Sequence, residues 1–115
     1  MNDCIFCKII KKEIPAKIIY EDAEIISFHD ISPKAPFHVL IVPKKHIESI
    51  RTINEKDEKL MGRLMLATKK IGEKLGVAND GYKLVINNGK GSGQIVFHLH
   101  IHLLGGFINK TGWAV

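Results

Sequence analysis

Three histidines alternate with apolar residues near the C-terminal end of the chain. In a β-strand every second side chain points to the same face, so the pattern predicts that His98, His100 and His102 share one face. Leu99 and Ile101 then face the core. Two chemistries fit such an array: His-x-His pairs ligate metals such as zinc, and a neutral imidazole near pH 7 serves as a nucleophile or an acid–base group. The array by itself leaves both open.

A glycine-rich segment, residues 87–94 (Asn-Asn-Gly-Lys-Gly-Ser-Gly-Gln), directly precedes the histidines. Its small residues and exposed backbone N–H groups predict a loop that can wrap a phosphate. The segment lacks the Gly-Lys-Ser/Thr ending of a P-loop. Next to an array of histidines, it favours phosphorus chemistry with a histidine nucleophile.

Cys4 and Cys7 form a C-x-x-C pair, which supplies two thiolates and therefore half of a tetrahedral zinc site. Histidines are the natural completing ligands. The alternatives are a thioredoxin-like redox pair, disfavoured without its βαβ setting, and two buried free cysteines.

The elements that position these groups follow from periodicity. Short apolar stretches predict strands at 18–20, 24–29, 38–42, 82–86 and 96–104, with a short helix over 4–12. One long helix begins after an Asn54 N-cap, with Asp57 completing a capping box, and ends at Gly76. Two helices are too few to connect five strands as βαβ units, so the fold class is α+β with an antiparallel sheet.

Composition narrows the function classes. The chain has 115 residues and a net charge of +5, which fits one domain spanning 1–115. Its lysines and arginines are scattered among acids rather than forming a basic stripe, so we expect no nucleic-acid partner. No apolar run approaches a membrane span and no signal peptide precedes the domain, so we expect no membrane partner. Two cysteines cannot build a disulfide scaffold, and a cytoplasmic location is expected.

Three segments together resemble the histidine-triad nucleotide-binding proteins: residues 98–104 (His-Leu-His-Ile-His-Leu-Leu), 28–36 (Phe-His-Asp-Ile-Ser-Pro-Lys-Ala-Pro) and 43–47 (Pro-Lys-Lys-His-Ile). The resemblance covers nearly the whole chain, from about Cys4 to Gly106. It implies a five-stranded antiparallel sheet, continued across a homodimer. It also implies hydrolysis of purine nucleoside 5′-phosphoramidates, or alternatively of dinucleoside polyphosphates, or purine-nucleotide binding (AMP or GMP) without turnover.

The resemblance also implies roles for individual residues. His100 is the nucleophile, and His102 and His38 hold the phosphate oxygens. Asp30 binds the ribose hydroxyls, and a structural zinc is held by Cys4, Cys7, His46 and His98. The remaining nucleotide contacts fall into an apolar slot for the base, formed by Ile5, Phe6, Phe28 and Ile31, and a phosphate-side loop containing Asn87, Gly93, Gln94 and Ile95.

The sequence departs from the family pattern at Ile95, where many members carry a hydroxyl residue that helps to protonate the leaving amine. Isoleucine has no proton to donate, so the choice of leaving group is open. The C-terminal segment from Phe107 also lacks the family's proline-rich ending, and Trp113 is a candidate for a contact across a dimer. His29 receives no role.

Overall fold

The structure, a computed structural model, describes residues 3–107. The prediction for Trp113 therefore lies outside the described residues. The helices are α1 (Ile5–Ile10) and α2 (Glu58–Lys74), and the strands are β1 (Ile18–Glu21), β2 (Ile25–His29), β3 (Phe37–Pro43), β4 (Tyr82–Val85) and β5 (Ile101–Gly105). Single 3₁₀ turns occupy Ile50–Thr52, Glu55–Asp57 and Lys90–Ser92.

Within the described part of the chain, the five strands form one sheet in the order β1-β2-β3-β5-β4, and every neighbouring pair is antiparallel. The α+β class and the five-stranded antiparallel sheet are thus confirmed. The register of β3 on β5 places Leu40 opposite His102 and His38 opposite Leu104. His38 and His102 are therefore diagonal neighbours, close enough for long side chains to touch.

Alternation along the strands sends apolar residues to both faces of the sheet. Val39, Ile41, Ile101 and Leu103 pack with the buried face of α2. Phe28, Leu40 and Val42 pack on the other face with Phe6 and Ile9 of α1. Because His38 and His102 alternate with the residues that face α2, both lie on the α1 face of the sheet.

The last strand is shorter than the sequence pattern predicts. Pairing on β5 begins at Ile101, and residues 96–100 are irregular, so the prediction of a strand over 96–104 is wrong for its first half. Continued register would set Leu99 opposite Pro43, which has no N–H to offer the ladder. The Leu99 N–H donates instead to the carbonyl of Ile47, at 2.6 Å. Alternation nevertheless persists, with Leu99 buried in the α2 core.

The helix ends agree with the sequence signals within two residues, whereas α2 begins three residues after the position that the Asn54 N-cap predicts. α1 ends at Ile10, two residues before the predicted end, because Lys12 adopts a left-handed conformation with φ of 64°. The Asn54–Asp57 capping box is present, although the first turn after it is 3₁₀. Gly76 follows α2 with φ of 76°, as expected for a C-cap glycine. Neither helix combines the length and apolar character that a bilayer crossing requires, in the part of the chain described.

Candidate active site and metal cluster

Two histidines on adjacent strands form the base of the site. His38 on β3 and His102 on β5 lie with Nε2 of His38 3.0 Å from Nδ1 of His102. The ring of His100 stands 5.0 Å from that of His102, with the planes inclined by 62°. The structure thus brings together the three histidines that the sequence analysis assigned to phosphate chemistry.

Backbone groups determine which nitrogen of each ring carries the proton. The N–H of Lys34 donates to Nδ1 of His38 at 3.0 Å, so a neutral His38 carries its proton on Nε2. That Nε2–H then donates to Nδ1 of His102, which leaves the proton of His102 on its Nε2. His102 therefore presents an N–H donor, rather than a lone pair, from its remaining nitrogen.

His100 has the opposite arrangement. Its Nδ1 lies 2.6 Å from the backbone carbonyl of His98, which can only accept, so Nδ1 carries the proton. Nε2 of His100 is then an unprotonated lone pair. The ring is buried, and the ring of Phe6 meets it edge-to-face at 5.0 Å and 90°. This orientation suits a nucleophile whose other nitrogen is anchored.

Burial keeps all three rings neutral at neutral pH. Desolvation is the main cause that lowers the pKa of His38 and of His100. The pKa of His102 falls to about 4, through desolvation first and then through the proximity of His100 and His38. Asp30 opposes the shift in all three, but burial outweighs it. The Nε2 lone pair of His100 is thus available without a base to deprotonate it.

Asp30 closes one side of the histidine group. Its Oδ1 accepts the N–H of Ser32 at 2.7 Å, forming an Asx turn, and its Oδ2 lies 3.5 Å from Nε2 of His38. The carboxylate is therefore both a turn former and a member of the site. Asp30, His38 and His102 are close enough together to suggest a metal site. In this tautomer, however, the facing nitrogens are already joined by a hydrogen bond.

The predicted base slot has a buried wall and an exposed rim. Phe6 and Phe28 are buried and meet edge-to-face at 5.4 Å. Ile5 is 45% exposed and Ile31 is 96% exposed. Because the side chain of Ile31 is almost fully exposed, it buries almost no apolar surface in the fold. That surface is therefore available to contact a flat ligand.

The glycine-rich loop differs from the expectation of free N–H groups. It closes on itself around the 3₁₀ turn: the N–H groups of Ser92 and Gly93 donate to Gly89 and Lys90 carbonyls, and Gly89 donates to the side chain of Gln94. Gln94 is buried, and its Nε2 donates to the carbonyls of Glu48 and Val96.

The remaining members of this loop have mixed roles. Nδ2 of Asn87 donates to the Ser92 carbonyl at 2.7 Å. Ile95 is 87% exposed and takes no part in the core. Side chains inside this loop therefore mainly hold its shape, and the expectation of a loop with freely exposed N–H groups is wrong for those that bond internally.

A second cluster lies at the N-terminal end of α1. Sγ of Cys4 is 3.3 Å from Nδ1 of His98, Sγ of Cys7 is 3.3 Å from Nδ1 of His46, and the two Nδ1 atoms are 3.1 Å apart. Sγ of Cys7 is also 3.6 Å from Nδ1 of His98. The fold thus joins residues that are far apart in sequence into one four-donor group.

These distances fit a tetrahedral zinc ion. Standard zinc bond lengths place two ligand nitrogens about 3.4 Å apart and a nitrogen about 3.6 Å from a sulfur. The tautomer of His98 also fits a metal ligand. Its Nε2–H donates to the Pro43 carbonyl at 2.8 Å, which leaves a lone pair on Nδ1 facing the cysteines. Burial raises the pKa of the Cys4 thiol, an effect that a bound cation would oppose.

The backbone groups that set these tautomers were not identified from the sequence. The Lys34 N–H, the His98 carbonyl and the Pro43 carbonyl have no side-chain signature. The only available signal was indirect, namely that Pro43 ends a strand and that Pro33 and Pro36 bracket the turn containing Lys34.

Comparisons with known proteins agree on one family. The family model described as HIT domain matches residues 11–109. The chain is 50% identical over 105 residues to Protein HitA of Neisseria gonorrhoeae, covering 91% of this chain and 97% of that protein. It is 44% identical to the purine nucleoside phosphoramidase of Escherichia coli K12, covering 91% and 88%. A HIT family hydrolase from Clostridium thermocellum superposes with a TM-score of 0.94 at 46% identity, covering 100% of this chain and 99% of that one.

Proposed function

The chain belongs to the HIT domain family, as its three segments predicted, and we propose that it hydrolyses the P–N bond of purine nucleoside 5′-phosphoramidates through a nucleotidyl-histidine intermediate. The observation that carries the proposal is the set of backbone hydrogen bonds to the rings, which leaves a lone pair on His100 and an N–H on His102 beside it. The 44% identity to a purine nucleoside phosphoramidase supports the choice of substrate.

In the first step Nε2 of His100 attacks the α-phosphorus, a P–Nε2 bond forms, and the bond from phosphorus to the leaving nitrogen breaks. Positive charge develops on the imidazole, and the His98 carbonyl stabilises it through the Nδ1–H. The leaving nitrogen takes up one proton. Ile95 has no proton to donate, and in this proposal a solvent molecule supplies it.

In the second step water attacks phosphorus, the P–Nε2 bond breaks, and one proton returns to solvent, so the overall reaction is hydrolysis. In both steps negative charge builds on the phosphate oxygens. The Nε2–H of His102, oriented by His38, donates to them. Phe6 and Phe28 bind the purine, and the carboxylate of Asp30 accepts the ribose hydroxyls.

The direct test is release of AMP from adenosine 5′-phosphoramidate. We expect His100→Ala to abolish release, and His29→Ala to retain it, because His29 lies at the end of β2 outside the triad. Mass spectrometry of the quenched wild-type reaction should find one adenylate on His100. Release by His100→Ala at the wild-type rate would overturn the nucleophile, and faster cleavage of a dinucleoside polyphosphate would reassign the leaving group.

We further propose that Cys4, Cys7, His46 and His98 hold a structural zinc ion. When bound, zinc would cross-link α1 to the segments after β3 and before β5. Such thiolates persist in a reducing compartment, which accords with a cytoplasmic location. Protein purified without chelator should contain about one zinc per chain by elemental analysis, and Cys7→Ser should lose it. Less than about a tenth of a zinc in the wild type would contradict the assignment.

We propose that a second copy of the chain pairs with β4. This strand is an edge of the described sheet and carries Leu84 at 38% exposure, next to Ile86 at 39%. Leu84→Lys should therefore shift the mass measured by light scattering from dimer to monomer. Ile18→Lys is the matched control, since Ile18 is equally exposed on the opposite edge strand β1. A monomeric wild type, or a monomer only for Ile18→Lys, would refute pairing through β4.

A further inference from the structure

The short helix α1 contacts both the four-donor cluster of Cys4, Cys7, His46 and His98 and the proposed nucleotide site. Cys4 caps the helix and Cys7 lies within it, so both cysteine donors of the cluster belong to α1. Between them, Phe6 is 5% exposed, and its ring stands 6.0 Å from that of the donor residue His98. That ring meets His100 at 5.0 Å and Phe28 at 5.4 Å, both edge-to-face. The proposed metal site and the proposed base slot therefore both depend on α1 and its N-cap.

His98 makes the same connection a second time. Its ring contributes Nδ1 to the metal cluster and donates from Nε2 to the Pro43 carbonyl. Its own backbone carbonyl accepts the Nδ1–H of the nucleophile His100 at 2.6 Å. A displacement of His98 would therefore also displace the group that keeps the lone pair of His100 on Nε2.

A helix of six residues is too short to be stable alone, so the position of α1 depends on what it contacts. Burial of Phe6 and Ile9 provides one set of contacts. A metal ion would provide another, because it ties Cys4 and Cys7 to His46 and His98. The more firmly α1 is held, the less ordering is required when a base packs against Phe6.

We propose that metal occupancy of the four-donor cluster and binding of a purine nucleotide are thermodynamically coupled, with Phe6 as the residue that links α1 to His100 and the base slot. This coupling rests on the proposed function. Thermodynamic linkage requires that metal strengthen nucleotide binding by the same factor by which nucleotide strengthens metal binding, and couplings of this kind amount to about fivefold or more.

The test uses the wild-type protein in both directions. AMP is titrated calorimetrically into zinc-loaded and metal-free protein, and zinc affinity is measured by competition with a chromophoric chelator, with and without saturating AMP. We expect both affinities to rise by the same factor, about fivefold or more. Ratios near one in both directions would overturn the coupling while leaving AMP binding, and with it the proposed function, intact. Failure of zinc-loaded protein to bind AMP would overturn both.

Variants assign the coupling to Phe6. Phe6→Leu keeps an apolar side chain but removes the ring that meets His100, so its coupling factor should fall towards one while it still binds one zinc. Ile9→Val is the matched control, because Ile9 is buried on the same helix and in the same cluster. Its factor should match the wild type. A Phe6→Leu variant that keeps the full factor would overturn the role of Phe6.

An independent readout is the tautomer of His100. In zinc-loaded protein, ¹⁵N NMR of the ring should find the proton on Nδ1, as the bond to the His98 carbonyl requires. In metal-free protein we expect the Nε2–H form to become populated as well. A tautomer unchanged by metal removal would refute the connection through His98.

Discussion

Gln94 offers a sharp test of how the phosphate-side loop is built. The sequence resemblance assigns it to nucleotide binding, but its side chain is 4% exposed and fully engaged inside the protein. Oε1 accepts the N–H of Gly89 at 2.7 Å, and Nε2 donates to the carbonyls of Glu48 and Val96 at 2.9 and 3.1 Å. We predict that Gln94→Ala acts mainly on stability.

The expected magnitude follows from these three hydrogen bonds. Each contributes about 1 kcal/mol net, and a partner left buried and unpaired costs at least as much. Because Glu48 is exposed and its carbonyl can be hydrated, the free energy of unfolding should fall by about 2 kcal/mol rather than the full sum. Gln94→Glu keeps the acceptor for Gly89 but sets a carboxylate against two carbonyls, so it should cost at least as much.

The assay is urea denaturation at saturating zinc, because the metal state must be the same for every variant. With an m-value of about 2 kcal/mol/M, the midpoint should shift down by about 1 M. Ile95→Ala is the matched control, since this neighbour is 87% exposed and its removal should change stability by less than about 0.5 kcal/mol. Unchanged stability of Gln94→Ala together with a large loss of AMP affinity would refute the bracing role and restore Gln94 as a direct ligand.

Two further predictions concern α2. Gly72→Ala should lower the free energy of unfolding by up to about 2 kcal/mol, because the added Cβ would lie 2.7 Å from the ring of Tyr82. Gly62→Ala should raise it by about 1 kcal/mol, because a Cβ there has no atom within 4 Å and alanine favours the helix. The same urea titration measures both changes. The hydrogen bond from Lys45 is the main reason that the pKa of Asp57 lies below its ordinary value of 3.8. The contribution of the Asp57 carboxylate to stability is therefore present above pH 3.8 and is lost as the pH falls through the lowered pKa. The gap in melting temperature between wild type and Asp57→Asn should therefore close in acid, and a gap independent of pH would contradict the ion pair.

The sequence predicted the face on which the triad lies better than it predicted the strand that carries it. Alternation over 98–104 indicates which face each side chain occupies, and Leu99 and Ile101 do lie in the core beside α2. Backbone pairing is a separate property that depends on the partner strand. Pro43 cannot donate to the ladder, so β5 begins only at Ile101 although the alternation starts earlier.

The glycine-rich loop shows the reverse limitation. Glycine and serine mark the segment as a turn former, and Gly89 and Gly93 do adopt positive φ angles of 85° and 92°. Composition does not show where the N–H groups of such a loop point. Here Gln94, which follows the last glycine, draws the loop inward by hydrogen bonds to Gly89 and Glu48. The loop that its composition predicted to bind phosphate therefore has fewer free N–H donors than expected, because several of its N–H groups bond within the loop.

Residue types and spacing alone do not predict different roles for identical side chains, and it was the family resemblance that implied them. Three imidazoles with lowered pKa values are chemically equivalent until a neighbour fixes the proton on one nitrogen. The Lys34 N–H fixes His38, and His38 in turn fixes His102 as a donor. The His98 carbonyl fixes His100 as a lone pair. Both determining groups belong to the backbone, so their effect depends on tertiary placement rather than residue type. It follows that substitutions which move the backbone at 34 or 98 should slow AMP release from adenosine 5′-phosphoramidate as severely as replacing a histidine, because they remove the hydrogen bonds that set the tautomers.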